Sequence, residues 1–475
     1  MQTLTNTVKK NKTVVLDCET NALTGYEKFW VAVSRDVDSG EVVVFKNVHE
    51  DPQPLRDHLN TVDVIVGHNL VGFDLGVLRH FLGIDWPLDR ILDTLVISRL
   101  LDYRREGGHS LDNLGKALGY KKSLFNDFSQ WSEALQTRCI IDTEISLKVY
   151  NEQKAYIYSK KWAPIIQMET FIQGFCQDMS TDGFHFDIDT ATELCETLEP
   201  VVAQLEEDLR TAFIPWPVFV REINPRATKS GALHSQDFKW MKEEVKDLTG
   251  FSPGAPFSLI EFPQFNPRSS KQRVERLNEA GWRPINKTKA HIEAERAKDV
   301  DKIRYYRTWG WKVDEENLAT LPETAPPAAQ MLSKFLLLSN RLKVLQEWIN
   351  IYNPETGRIH GTFTGIGSWT HRMAHSAPNM ANVPALVNRH GKPQPYGAEF
   401  RSLWTVPQGK ILIGCDAEGI QLRLFAHFCN DSKLIEAIVN GKKEDKSDIH
   451  SLNQAILGTI CNTREVAKTY IYALL

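Results

Sequence analysis

Residues 12–20 read KTVVLDCET, an apolar, β-branched run that ends in an Asp-x-Glu pair. Val14, Val15 and Leu16 mark a strand buried on both faces, because a strand with one solvated face alternates apolar and polar positions. Asp17 and Glu19 stand two residues apart, so on that strand they point to the same face. Two carboxylates sharing a face at the end of a central strand suit a divalent cation. A D-x-E pair also arises by chance on surface strands, so it decides nothing by itself.

Working outward, FWVAVSR (29–35), EVVVFK (41–46) and VDVIVGHN (62–69) are further short strands. SLDNLGKALG (110–119) and DTEISLKVYNEQ (142–153) read as helices. The alternation predicts an α/β domain over 1–158. VGHNLVGFDLGVL (66–78) puts Asp74 at the start of a helix just after a buried strand, and RCIIDTEISLKVY (138–150) puts Asp142 on a later helix. Four acids from separate elements of one α/β domain fit a two-metal site. In such a site one ion activates water and the other stabilises the leaving oxygen of a phosphodiester.

The rest of the chain is more helical. Residues 160–212 include the amphipathic run TATELCETLEPVVAQLEEDLRTAF (190–213). Residues 213–267 are rich in Pro, Gly and aromatics and read as an insertion, with helices resuming at Arg268; long irregular stretches are usually functional or mobile. LPETAPPAAQ (321–330) precedes a long helix ending near Tyr352. KILIGCD (410–416) predicts a strand with Asp416 at its end, and GIQLRLFAHF (419–428) a helix. A strand-end carboxylate is as often a helix N-cap as a metal ligand. The expected segments are 1–158, a helical 159–355 carrying the insertion 213–267, then 356–430 and 431–475.

Composition bounds the class. The 475 residues are 42% hydrophobic and 24% charged, with net charge −4, as in ordinary globular proteins. Seven cysteines without a C-x-x-C pair argue against structural zinc and disulfides and for a reducing cytoplasm. The N-terminus has no apolar leader and no run approaches a membrane span. SSKQRVER (269–276) and DKIRYYRTWGWK (301–312) are local basic stretches that suit phosphates, though a solvated face explains each alone.

At the end, TREVAKTYIYALL (463–475) is an amphipathic helix with no Gly, Asn or Pro to close it. Arg464, Lys468 and Tyr472 recur every four residues and form one stripe. A solvated helix face is the ordinary explanation of R-x-x-x-K taken alone.

Two sets of motifs carry a resemblance. D-x-E, then H-N-x(4)-D, then a helical Asp142 resembles the DEDDy proofreading 3′–5′ exonucleases, and ILDTLVISRLL (91–101) and HSLDNLGKALGY (109–120) resemble their connecting segments. The resemblance implies Asp17, Glu19, Asp74 and Asp142 as ligands of magnesium, with manganese as an alternative. Four residues before Asp142 that family carries a Tyr that orients the attacking water; here Arg138 stands instead, a donor that cannot act as a base. An i,i+4 surface pair with Asp142 is the plainer account of Arg138.

The second set is GSWTHRMAHSAPNMANVP (367–384), DAEGIQL (416–422), DIHSLNQAI (448–456) and the terminal helix. In order, these resemble the palm and fingers motifs of family A DNA polymerases, of the short-tailed bacteriophage type. FNPRSSKQRVERLNEAGW (265–282) matches the thumb of that group. The resemblance covers nearly the whole chain. It implies an RNase H-like exonuclease domain, then a helical thumb, then partial palm and fingers. It makes Asp416, with the Ala417 carbonyl, the holder of the catalytic metals. Lys468 and Arg464 become neutralisers of the leaving pyrophosphate, joined by His450, and Tyr472 the ring against the incoming sugar. Arg372 and Arg401 fall where relatives touch primer terminus or nucleotide. Gln421 replaces the usual Glu that crowds a ribose 2′-hydroxyl.

In this family a second palm carboxylate lies in an H-D-E turn beyond the fingers helix, and no H-D-E occurs in these residues. The family's template-positioning Tyr would be residue 476. The expectation is therefore the N-terminal part of a split polymerase, acting on primer-template DNA and dNTPs with a C-terminal fragment. Relatives carry a thioredoxin-binding insertion at 213–267, so the resemblance allows host thioredoxin or another processivity factor as a partner there, with an ordinary mobile loop as the equal alternative. The expected location is the cytoplasm, that of a bacterial host if the gene is phage-encoded. The alternatives are a stand-alone exonuclease with a polymerase-like DNA-binding half, and a non-catalytic DNA-binding module.

Overall fold

A computed structural model describes residues 12–120, 125, 127–239, 241, 247–318, 320–387 and 393–474. Residues 1–11, where the sequence reading found no apolar leader, parts of the insertion (240 and 242–246) and the final Leu475 lie outside the described residues.

The run that opens the chain forms β1 (Thr13–Thr20), followed by β2 (Phe29–Asp36), β3 (Val42–Lys46), helix α1 (Gln53–Leu59), β4 (Val64–Gly67), α2 (Asp74–Leu82) and β5 (Ile91–Asp93). The five strands make one sheet in the order β3-β2-β1-β4-β5. The first three are antiparallel hairpin neighbours, whereas β4 lies parallel to β1, and β5 to β4. Parallel neighbours need a crossover, which α1 and α2 provide. β1 is central and covered on both faces, as its unbroken apolar run predicts. Val14, Leu16 and Cys18 pack with Leu55 and Leu59 of α1 and Val77 and Leu78 of α2. Val15 packs on the other side, with Ile97 and Leu100 of α3 (Thr94–Leu101).

After α4 (Leu111–Ala117) comes the 25-residue α5 (Glu133–Ile157). Ser132 starts it, its hydroxyl accepting the Leu135 N–H at 3.1 Å and so satisfying one of the free first-turn donors. Leu135 and Cys139 of α5 pack on Val31 and Val33 of β2. Those two valines stand directly opposite Glu19 and Asp17 across the β1–β2 ladder. The odd-numbered face of β1 is therefore the face that α5 covers.

Beyond α6 (Ala163–Asp182) lies a second core. α7 (Ile188–Ala212) buries Leu198, Val202, Leu205 and Leu209, spaced by four, three and four, against a long helix at Pro327–Ile351. This is the packing stripe of a 3.6-residue period. Trp348, fully buried, meets Phe186 and Trp404 edge-on at centroid distances of 6.0 and 5.0 Å. The insertion is less irregular than its composition suggests. Val218–Ile223 and Phe257–Glu261 pair as a two-stranded antiparallel sheet, which leaves Phe219, Val220, Ile260 and Phe262 exposed. Helices resume at Ser270.

The chain forms two compact units that divide at Val406/Pro407. Within Pro407–Leu475, one expectation fails. Residues 411–416 form no strand, and Ile411, Leu412 and Ile413 are 81, 77 and 82% exposed. Strand propensity is local, but a strand exists only when a neighbour takes up its backbone hydrogen bonds. No such neighbour occurs among the described residues. The helices at Ile420–Cys429 and Arg464–Leu474 form as predicted. Among the described residues no helix is long and apolar enough to cross a membrane.

Candidate active sites

Asp17 and Glu19 do share a face, and α5 brings Asp142 to the same spot. Each of the three offers an oxygen within 4.8 Å of the other two. Asp17 Oδ2 is sealed from solvent without a hydrogen-bond partner. Burial first, then repulsion from Glu19, Asp142 and Asp74, pushes the Asp17 carboxyl well above the usual carboxylate range; the nearby Cys139 thiol, which donates to the Asp17 main-chain carbonyl at 3.3 Å, opposes the rise. Buried oxygens are normally satisfied, and an unpartnered one among like charges is what a cation site looks like without its cation. The neighbouring thiols of Cys18 and Cys139 are pushed up by burial and by these acids, so both stay protonated.

Asp74 stands outside that triangle. It opens α2, and its Oδ1 accepts the Cys18 N–H at 2.9 Å. The β1–β4 ladder ends at Val15, so Asp74 takes up a strand donor just beyond its reach. Burial raises its carboxyl and the Cys18 bonds oppose the rise. The loop leading to Asp74 is held by a residue that sequence reasoning missed. Asp93, 1% exposed, accepts the N–H groups of Asn69 and Val71 at 3.0 Å each, and of Leu95 at 2.9 Å as N-cap of α3. Its signal was the Asp-Thr pair before an apolar helix, which reads as a cap and gives no hint of the second task.

Arg138 is no surface pair. Its side chain is 18% exposed, and Nε lies 3.1 Å from Glu19 Oε1 but 3.8 Å from Asp142 Oδ2. It belongs to the carboxylate cluster rather than to the outer face of α5.

In the unit up to Val406, Arg372 is exposed in the turn between two paired strands, Thr362–Thr364 and Ala374–Ser376. Arg401 donates from Nε to the Pro384 carbonyl at 2.9 Å. In the unit from Pro407, Asp416, Ala417 and Gln421 are exposed, the first two in irregular backbone before the Gly419 turn. A Cβ placed on Gly419 would stand 3.8 Å from the Tyr472 hydroxyl, so the terminal helix meets the turn that follows Asp416. The Tyr472 ring lies 6.1 Å from that of His450. Lys468 is exposed, whereas Arg464 is engaged by Asp448 (Nη2–Oδ1 2.7 Å, Nε–Oδ1 3.1 Å). Asp448, also missed, caps the helix Ile449–Leu457 and ties it to the terminal helix. His450 departs from its expected role. Burial, with Arg464 and Lys468, holds its pKa below the usual value, so near neutrality it is a neutral imidazole and not a third cation.

Comparison with known proteins agrees with this order of sites. A family profile described as "3'-5' exonuclease" matches residues 1–152, and one described as "DNA polymerase family A" matches residues 258–475. The DNA-directed DNA polymerase of Escherichia phage T7 is 24% identical over 559 residues, spanning 97% of this chain and 75% of that protein. That of Enterobacteria phage T3 is 24% identical over 525 residues, spanning 94% and 69%. Among solved structures, the POL domain of Pol1 from M. smegmatis, in complex with DNA primer-template and dNTP, superposes with a TM-score of 0.65 at 17% identity. It covers 98% of this chain and 68% of that one, a likeness of fold. Residues 1–152 are thus a 3′–5′ exonuclease domain, and residues 258–475 belong to the family A DNA polymerases.

Proposed function

We propose that residues 1–158 remove nucleotides from DNA 3′ ends at the Asp17–Glu19–Asp142 cluster, and that 356–430 and 431–475 supply the first half of a polymerase site completed by a C-terminal fragment, with 159–355 as the thumb. The observation that carries the first part is the orphaned Asp17 Oδ2 among three converging carboxylates. Asp17, Glu19 and Asp142 would hold magnesium, with manganese as an alternative, and Asp74 lies close enough for its charge to raise Asp17. Bound ions would supply a water of lowered pKa and charge for the leaving oxygen. The protein's own part is orientation: β1 aims two acids, α5 fixes the third, and Cys18 anchors Asp74. Burial keeps bulk water from screening these charges.

On the polymerase side, Asp416 and the Ala417 carbonyl would hold metal. Lys468 and Arg464 would meet the triphosphate, Tyr472 the sugar, with His450 and Gln421 beside them and Arg401 and Arg372 toward nucleotide and primer. Primer-template DNA and a dNTP occupy the similar solved structure, which supports these substrates. One carboxylate is too little for a two-metal site, and no H-D-E occurs in the 475 residues, which supports a second carboxylate from the C-terminal fragment. The unpaired run at Ile411–Ile413 supports strands arriving from outside. The exposed aromatics of the insertion's strand pair support a protein partner there, thioredoxin or another processivity factor. The seven free thiols fit the cytoplasm of a bacterial host.

The test is degradation and extension of a labelled primer with magnesium. Asp17→Ala with Glu19→Ala should abolish 3′ degradation; undiminished degradation by the pure double variant rejects the exonuclease site. Extension should need the added C-terminal fragment and vanish with Asp416→Ala. Templated synthesis by the 475-residue chain alone rejects the split arrangement. Trimming without any restored extension makes it a stand-alone exonuclease, and neither activity leaves a DNA-binding module.

A further inference from the structure

We propose that Arg138 is a resident cation of the exonuclease site, standing where one of two divalent ions would stand, so that the site takes a single divalent ion. The proposal rests on the reading of Asp17, Glu19 and Asp142 as metal ligands. Its geometric basis is that the guanidinium lies along the Glu19–Asp142 edge of the carboxylate triangle, with Nε 3.1 Å from one acid and 3.8 Å from the other.

The side chain is also fixed from behind, by groups that have nothing to do with the acids. Its Nη1 donates to the Phe125 carbonyl at 3.0 Å, and its plane lies 5.1 Å over the Phe128 ring. Swinging aside to admit an ion would break that hydrogen bond and the cation–π contact together. A surface arginine that merely drifts toward acids has no such backing. The backing comes from Phe125 and Phe128, and the Phe128 carbonyl is itself tied to β2 by the Trp30 indole N–H at 2.9 Å.

Charge decides what the arrangement does. Two-metal sites hold their ions about 3.5–4 Å apart, bridged by shared carboxylates. A permanent positive charge already paired with two of three carboxylates competes for the same oxygens and repels a second divalent ion. Its binding should weaken by at least ~100-fold relative to a site with a neutral residue at 138. The first ion would keep Asp17, whose Oδ2 is buried without a hydrogen-bond partner and whose carboxylate is not one of the two that pair with the guanidinium. Arg138 is thus a positioning residue that sets how many ions the site holds.

The test counts manganese ions by electron paramagnetic resonance and calorimetry on the full chain, in an Asp416→Ala background that silences the polymerase side. The parent should bind one ion that is lost on Asp17→Ala with Glu19→Ala. Arg138→Tyr and Arg138→Gln should bind two, the second at least ~100-fold tighter than any second ion in the parent. Arg138→Lys, which keeps the charge, should stay at one, and it guards against a variant that fails to fold. A parent that itself takes two site-dependent ions overturns the proposal without recourse to variants. So does an equal count in parent and Arg138→Gln. Those results leave the carboxylate reading standing, whereas manganese binding indifferent to Asp17 and Glu19 in every protein removes that reading and the proposal with it.

Discussion

Replacing Asp93 by Ala should disable proofreading from a distance. The carboxylate is buried and does two tasks: it caps α3, and it holds the Asn69 and Val71 amides of the loop that delivers Asp74. Losing a cap costs about 1 kcal/mol. Each loop amide left without an acceptor costs about 1–3 kcal/mol, and water reaching Asn69 would recover part of it. The total is roughly 3–5 kcal/mol, two to three or more decades in the local opening equilibrium at about 1.4 kcal/mol per decade. Hydrogen exchange of the 65–80 segment should speed up by that factor, while the helix Pro327–Ile351, in a separate core, keeps its protection. Asp74 would keep its Cys18 bond and the packing of α2 but lose the braced loop before it, and 3′ degradation should fall by about 100-fold, the usual effect of ångström-scale misplacement. Asp93→Asn retains one acceptor oxygen and should lie between. Unchanged exchange at 65–80 in Asp93→Ala, with full degradation, would refute the reasoning.

Two further outcomes are expected. Although burial works against it, Arg464, Ser451 and the His450 amide hold the Asp448 carboxyl well below its usual range. Its stabilisation is present above the unfolded value of about 3.9 and is lost as pH falls through the folded one. The thermal-stability gap between parent and Asp448→Asn should therefore be constant from pH 7 to pH 5 and shrink below about pH 4; a gap that persists unchanged to pH 2 contradicts the pairing. If a C-terminal fragment completes the polymerase as proposed, and Tyr472 meets the sugar, Tyr472→Phe should discriminate against dideoxynucleotides because it lacks the hydroxyl that would substitute for the missing 3′ group, and equal incorporation by both proteins rules this out.

Much of this molecule was legible where the information is local. The unbroken run before Asp17 announced a strand buried on both sides, and the two-residue spacing put Asp17 and Glu19 on the face that α5 covers. Helical spacing likewise found α7 and the terminal helix. What escaped depends on contacts remote in sequence. Asp93 and Asp448 look like ordinary helix caps until their second partners, 22–24 and 16 residues away, are seen. Asp74 sits outside the triangle because a strand amide claims it, a competition that no motif encodes. Arg138 read as an i,i+4 surface pair, since nothing in a helical period reveals that β1 brings Glu19 closer than Asp142.

The bare run at Ile411–Ile413 has a consequence for handling and for assembly. Three consecutive large aliphatic side chains that join no sheet among the described residues make an adhesive edge, able to recruit any strand that collides with it. At high concentration the most abundant candidate is the same segment of another copy, so the 475-residue chain should turn turbid in a concentration-dependent way. A strand supplied by the proposed C-terminal fragment would quench that stickiness by occupying the edge first. Light scattering of the chain, titrated against candidate fragments, thus becomes a reporter of completion that needs no DNA, no nucleotide and no metal.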